Sequence, residues 1–342
     1  MAVGDTLAHC TGTGTEADPY IFSDGVGFLE AIAVESAYVE AATNNMVIDS
    51  NDGVVVPTVT FNGTKLNGKG LTIRNLCVNA TSTNILVLSR TGNISDVNFY
   101  NMCIIVSNTI GRFIASSTAG SSGRNSWAFN RCNFTGIYWG NYRPTNDSGI
   151  VLYMIGGRNY NSSWVTTYYF NKCTFNFNLK FKFTSSQYSS DSMNLRIFRT
   201  QTSTTSGNSD NVYLNNCEVK VTGSVTFGTT GSGKTFKIVE PYTYCSATTF
   251  LSDINNPLII GEGGTLQNNP TAYGYSFYKL YAQAPTITIS DSKGLIDTTR
   301  LTADTKNLTG IVMQETDDTQ SDYIFNMTNL QTEGFLVGET IT

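Results

Sequence analysis

Tyr168-Tyr169-Phe170-Asn171-Lys172-Cys173-Thr174-Phe175-Asn176-Phe177 sets an Asn-x-Cys triplet between two runs rich in aromatic residues, and beyond it the alternation continues through Leu179, Phe181 and Phe183. Apolar residues at every second position are the pattern of a strand that buries one face. Asparagine tolerates the left-handed backbone conformation and bonds to nearby backbone, so it can turn the chain sharply between two strands. Cysteine is small and readily buried, and it fits just inside such a corner. The stretch therefore reads as strand, sharp corner, strand.

Four more copies repeat it: Asn75-Leu76-Cys77, Asn101-Met102-Cys103, Asn130-Arg131-Cys132 and Asn215-Asn216-Cys217. Asparagine is roughly one residue in ten, so five hits among seven cysteines are not a chance outcome. Trp127 and Phe129 lead into the copy at 130 and Phe134 follows it; Val212 and Leu214 lead into the copy at 215, with Val219 and Val221 after it. The copies lie 26, 29, 41 and 44 residues apart, in or near the range of structural repeats. The expectation is an all-β chain, a single-stranded right-handed parallel β-helix. In it, Asn75, Asn101, Asn130, Asn171 and Asn215 stack at one bend, with Cys77, Cys103, Cys132, Cys173 and Cys217 beneath them. The wider spacings leave room for long loops or for an intervening coil without the motif. Ser116–Ser126 and Thr184–Asp210 are the loop candidates by composition. A packing role for these cysteines is favoured over zinc, which takes pairs two to four residues apart.

Both ends read as caps. After Ser23-Asp24, a plausible N-cap, Phe28-Leu29-Glu30-Ala31-Ile32-Ala33 has apolar residues at helical spacing. A short helix there would cover the first coil, as terminal repeats require. The expected organisation is an entry segment with a capping helix over 1–50, the parallel β-helix over 51–285, and final coils or a small C-terminal β module over 286–342. Strand-like runs at Thr286–Ser290 and Tyr323–Met327 belong to that last part.

Charged residues are 14% of the 342 and the net charge is −5, yet 19 Phe and 18 Tyr make this a folding composition. With 21 Lys plus Arg and no dense basic cluster, nucleic acid is not expected as a partner. No apolar run approaches the roughly 18 residues of a membrane span. The start at Met1 lacks a basic and an apolar leader segment, and the cysteine count is odd; both favour synthesis and folding in a cytoplasm. A chain from which a leader had been removed would read the same.

Gly12-Thr13-Gly14-Thr15-Glu16-Ala17-Asp18-Pro19-Tyr20-Ile21, then the short helix and Tyr38-Val39-Glu40, resembles an entry motif of the pectate-lyase-like superfamily. That motif opens many β-helical adhesin-like and phage-encoded proteins. Asn67-Gly68-Lys69-Gly70-Leu71-Thr72-Ile73-Arg74-Asn75-Leu76 is similar to a coil of the same superfamily, and with the repeats the resemblance spans roughly residues 12–285. It implies a carbohydrate-facing or virion-associated role, although fold alone does not fix function.

Catalytic motifs are poor. Gly228-Thr229-Thr230-Gly231-Ser232-Gly233-Lys234-Thr235 matches a phosphate-binding loop, but such a loop needs a helix after it, and Thr235 to Glu240 alternates like a strand. A glycine-rich turn is the better reading. The only histidine, His9, stands outside the coils and reads as a surface residue, so the Gly-His-Gly element of polygalacturonase-like hydrolases is absent. The calcium-binding aspartates and arginine base of pectate lyases are also missing. Asp191, Asp210 and Glu218 could in principle form a carboxylate pair, but solvated loop residues are the simpler account. Glu315, Asp317, Asp318 and Asp322 do not fit a calcium loop. Lys180, Lys182, Arg196 and Arg199 fall at strand spacing as outward, solubilising charges. No catalytic residue, cofactor or metal is expected.

The expected function is therefore a non-enzymatic structural or adhesive protein, foremost a bacteriophage virion component such as a head fibre, decoration protein or tail appendage. It would be made in the host cytoplasm and carried on the virion. The alternatives are a polysaccharide depolymerase on the same scaffold and a bacterial cell-surface adhesin. Expected partners are other virion proteins, a host-surface glycan and further copies of the chain. The phage resemblance favours a homo-oligomer such as a trimer, without a coiled-coil heptad to support it.

Overall fold

The computed structural model describes residues 1–116, 124–141, 151–156, 165–182, 194–198 and 211–226. It also describes the short strands 235–237, 243–246, 248–251, 258–260, 265–268, 275–277, 282–283, 287–289, 311–315, 323–327 and 340–341. The described residues are mostly strand, with one α-helix, Gly25–Ala33, and one 3-10 turn, Ser50–Asp52.

The strands join in parallel ladders. One runs from Tyr20–Phe22 through Tyr38–Ala41, Lys65–Arg74, Gly92–Tyr100, Arg124–Asn130, Val165–Asn171 and Asn211–Asn215 to Thr243–Ser246. A second joins Asn133–Asn141, Thr174–Lys182, Glu218–Thr226, Thr248–Leu251 and Tyr275–Phe277. A third joins Val59–Asn62, Cys77–Ser89, Cys103–Ser116, Val151–Gly156, Asn194–Phe198, Thr235–Lys237, Thr265–Asn268 and Ile287–Ile289. Antiparallel pairing occurs at the two ends: Cys10–Thr11 on Tyr20–Phe22, and the run Tyr275–Phe277, Ile311–Glu315, Tyr323–Met327, Thr340–Ile341.

The alternation explains the burial. Phe175, Phe177, Leu179 and Phe181 are buried, while Asn178 and Lys180 between them are exposed. Because pairing is in register, identical ring types lie above one another inside. Phe99 stacks on Phe134 at 5.0 Å, Phe134 on Phe175 at 4.8 Å, and Phe129 on Phe170 at 5.0 Å. These separations match the strand spacing of about 4.8 Å, so the aromatic columns fill the core at the repeat of the backbone.

The helix begins at Asp24, whose carboxylate accepts from the Gly27 N–H at 2.8 Å, a standard N-cap. Its Phe28 meets Phe22 and Phe61 edge-on, at 5.5 and 6.0 Å, and so packs the helix over the first strands of the core.

Two loop expectations need correction. The 184–210 stretch contains the strand Asn194–Phe198, held because Leu195, Ile197 and Phe198 are buried. Arg124–Ser126, inside the other loop candidate, opens the strand Arg124–Asn130. At the far end, Ile287–Ile289 still pairs in parallel, and the antiparallel strands begin only with Ile311–Glu315.

Candidate functional site

Sharp corners are the most regular chemical feature of the described residues. Asp96, Arg131, Lys172 and Asn216 hold φ of 57°, 53°, 55° and 53°, and Asn75, Asn101 and Gly136 hold 64°, 51° and 63°. The residue after each corner points inward: Val97, Cys132, Cys173 and Cys217 in the first group, Leu76, Met102 and Ile137 in the second. The left-handed residue breaks the alternation by one step, which sets the side of everything that follows.

The Asn-x-Cys triplet is consequently used in two phases. At 75–77 and 101–103 the asparagine itself is left-handed, the middle residue is buried, and the cysteine falls outside: Cys77 is exposed and Cys103 half-buried. At 130–132, 171–173 and 215–217 the middle residue is left-handed and the cysteine is buried. The five copies therefore form two columns, not the single bend expected. Cys103 pairs with Cys77 on one side and with Tyr138 on the other, while Asn130 pairs with Ser95, Asn171 and, through Asn171, Asn215. Copies 130, 171 and 215 lie on directly successive strands, so the wider spacings come from the chain between strands and not from an intervening coil.

Each column carries its own amide chain. The Asn215 Nδ2 donates to Asn171 Oδ1, Asn171 to Asn130, and Asn130 to Asn93, all at 2.8 Å. In the other column Asn101 donates to Asn75 at 2.6 Å and Asn75 to the Asp49 carboxylate at 2.7 Å. An amide has both a donor and an acceptor end, so a stack of them satisfies itself at the strand repeat.

Inside, the three buried thiols bond to backbone of the preceding strand. Cys132 donates to the Ile94 carbonyl at 3.4 Å, Cys173 to Phe129 at 3.3 Å, and Cys217 to Phe170 at 3.2 Å. Burial pushes the Cys173 thiol up; the interaction with Cys173 and then burial push Cys217 up, so both stay protonated. Thr248 continues this buried column as a fourth donor where no cysteine stands. Ser246 is in register with Asn215, and the Thr248 hydroxyl donates to the Leu214 carbonyl at 2.8 Å. The readable signal was Ser-x-Thr as a polar equivalent of Asn-x-Cys.

The outer face was also overlooked. Tyr169, Tyr213 and Tyr244 are in register and stack at 4.8 and 4.7 Å, beside the column Asn171, Asn215 and Ser246. At the corner, Arg131 grips Asp96 with two parallel bonds, Nε to Oδ1 at 2.7 Å and Nη2 to Oδ2 at 2.6 Å. The Asp96 carboxylate raises the Arg131 pKa through that hydrogen bond.

The remaining candidates do not converge. Asp191, Asp210, Arg199, Asp317, Asp318, Asp322 and residues 228–234 of the glycine-rich loop lie outside the described residues. Thr235–Lys237, directly after that loop, is a strand between Asn194–Phe198 and Thr265–Asn268. Glu218 and Lys180 are exposed on their strands. His9 is exposed but engaged: its Nδ1 meets Glu30 Oε1 at 2.7 Å and its backbone N–H donates to Oε2 at 2.9 Å. Among the described residues no group of three or more His, Cys, Asp or Glu could hold a metal ion, and no helix is long and apolar enough to cross a membrane. No family model, curated protein or solved structure matches the chain.

Proposed function

We propose that the parallel ladders are the faces of one right-handed parallel β-helix, and that the chain is a non-enzymatic structural or adhesive element of a bacteriophage particle. The observation that carries this reading is the run of parallel pairings that links eight strands from Tyr20–Phe22 to Thr243–Ser246, with a register shift between Asn67 and Leu71. Such a body gains core with every added strand and needs no second domain. A right-handed path is the hand that parallel crossovers favour.

The chemistry outside supports a contact role over a reaction. Amide and tyrosine columns, with few charges, present hydroxyls and amides at the strand repeat, groups that suit a host-surface glycan or a neighbouring particle protein. Mass spectrometry of particles purified from cells carrying the gene tests the reading. The chain is expected in stoichiometric amount with the capsid and tail proteins. Its absence from clean particles would sink the proposal. Release of oligosaccharide from a bacterial glycan would transfer the case to a depolymerase.

A further inference from the structure

The two phases of the Asn-x-Cys triplet leave one pair of cysteines in a different chemical position from the other three. Cys77 and Cys103 are register partners on adjacent parallel strands, and the Cys103 N–H donates to the Leu76 carbonyl at 3.0 Å, which locks that register. Strand neighbours lie about 4.8 Å apart, inside the roughly 4.4–6.8 Å between α-carbons that a disulfide spans. Cys77 is exposed and Cys103 half-buried, whereas Cys132, Cys173 and Cys217 are buried and committed to carbonyls.

We infer that Cys77 and Cys103 are an oxidative modification site: a small-molecule disulfide such as oxidised glutathione converts them to a disulfide that ties the two strands together. The exposed Cys77 thiol loses its proton to solvent, and its sulfur attacks one sulfur of the small disulfide. That S–S bond breaks, a Cys77 mixed disulfide forms, and one small thiolate leaves. Cys103 then gives up its proton and attacks the Cys77 sulfur, forming the Cys77–Cys103 bond and expelling the second small thiolate. Two protein thiols are oxidised and one small disulfide is reduced to two thiols.

The order of attack follows from the environments. Burial, then the neighbouring Cys77, push the Cys103 thiol up to about 12. Cys77, which meets solvent, is therefore the thiol that attacks first, and Cys103 completes the bond from its register position beside the mixed disulfide. This site stands on the strand register and does not depend on a role in a phage particle.

The test is to treat the folded, fully reduced chain with oxidised glutathione, quench with acid and map tryptic peptides. Cys77 and Cys103 fall in separate peptides, 75–90 and 91–112, each with no other cysteine. The expected result is a linked pair of these peptides, lighter by two hydrogen atoms, and the loss of both thiols to alkylation. In Cys103→Ser the link is lost and one glutathione remains on Cys77; in Cys77→Ser Cys103 is left unlinked. Unchanged circular dichroism shows that both variants fold. A stable glutathione adduct on Cys77 of the unsubstituted chain, two surviving thiols, or a link that forms only in urea would each overturn the inference.

Discussion

The Cys217 thiol donates to the Phe170 carbonyl one strand back in the ladder, at 3.2 Å, and Thr248 makes the same bond one strand onward to Leu214, at 2.8 Å. Val97 occupies the equivalent inward position earlier in the chain with no donor to offer. The column thus accepts both a polar and an apolar residue of similar size, which lets the worth of the bond be measured.

Cys217→Thr and Cys217→Val are nearly the same shape and differ in the donor. The threonine variant is expected to be the more stable by about 1 kcal/mol, the net value of a buried hydrogen bond. Urea midpoints at constant m-value give the comparison. Equal midpoints would mean that the thiol contributes packing alone.

Lys172 is exposed and holds φ of 55°, a conformation that costs a side-chain-bearing residue roughly 1–2 kcal/mol. Lys172→Gly removes that strain but adds chain entropy to the unfolded state, for a net gain of about 0.5–1 kcal/mol. Lys172→Val is expected to lose stability, because branching at Cβ worsens the same clash. Thermal midpoints moving up for glycine and down for valine are the expected pattern.

Gly92 permits the close approach of Trp127. A Cβ there would stand 2.4 Å from the indole ring and 2.6 Å from the Thr64 carbonyl oxygen. Trp127 cannot retreat readily, since its Nε1 donates to the Arg90 carbonyl at 2.6 Å. Gly92→Ala is expected to cost about 1–3 kcal/mol as an overpacked core site, with a lower urea midpoint and altered tryptophan fluorescence.

His9 is the only histidine, so its titration can be followed by proton NMR without assignment. The hydrogen bond to Glu30, and then its charge, hold the His9 pKa above the ordinary 6.5. A raised folded pKa means that this contact's stabilisation is complete below the unfolded value and fades as pH rises through the folded one. The titration midpoint is expected above 6.5 and should fall toward it in Glu30→Gln. An unchanged midpoint in that variant would remove Glu30 as the cause.

Much of the strand content was legible in the chain. Phe175, Phe177, Leu179 and Phe181 declared an inward face because period two has no other use on a pleated backbone. Asp24 before the run at Phe28 marked the helix start, and the Asn-x-Cys repeats marked the corners. Asn194–Phe198 was lost in a Ser- and Thr-rich background because a strand of five residues leaves too short a pattern. Thr248 and the tyrosine column were missed because equivalence there is chemical or positional, with no shared triplet to find.

The phase of each corner was written in the middle residue: Leu76 and Met102 had to go inside, and Arg131, Lys172 and Asn216 had to stay out. Which corners stand above one another was not written there. Gly136 takes the left-handed place above Asn101, so Cys103 meets Tyr138, and Asn130 settles on Ser95. Local side-chain chemistry decides that a chain turns and which residue it buries in turning. Stacking is decided by main-chain hydrogen-bond register across the whole length of two strands, which the distance in sequence between two motifs does not determine.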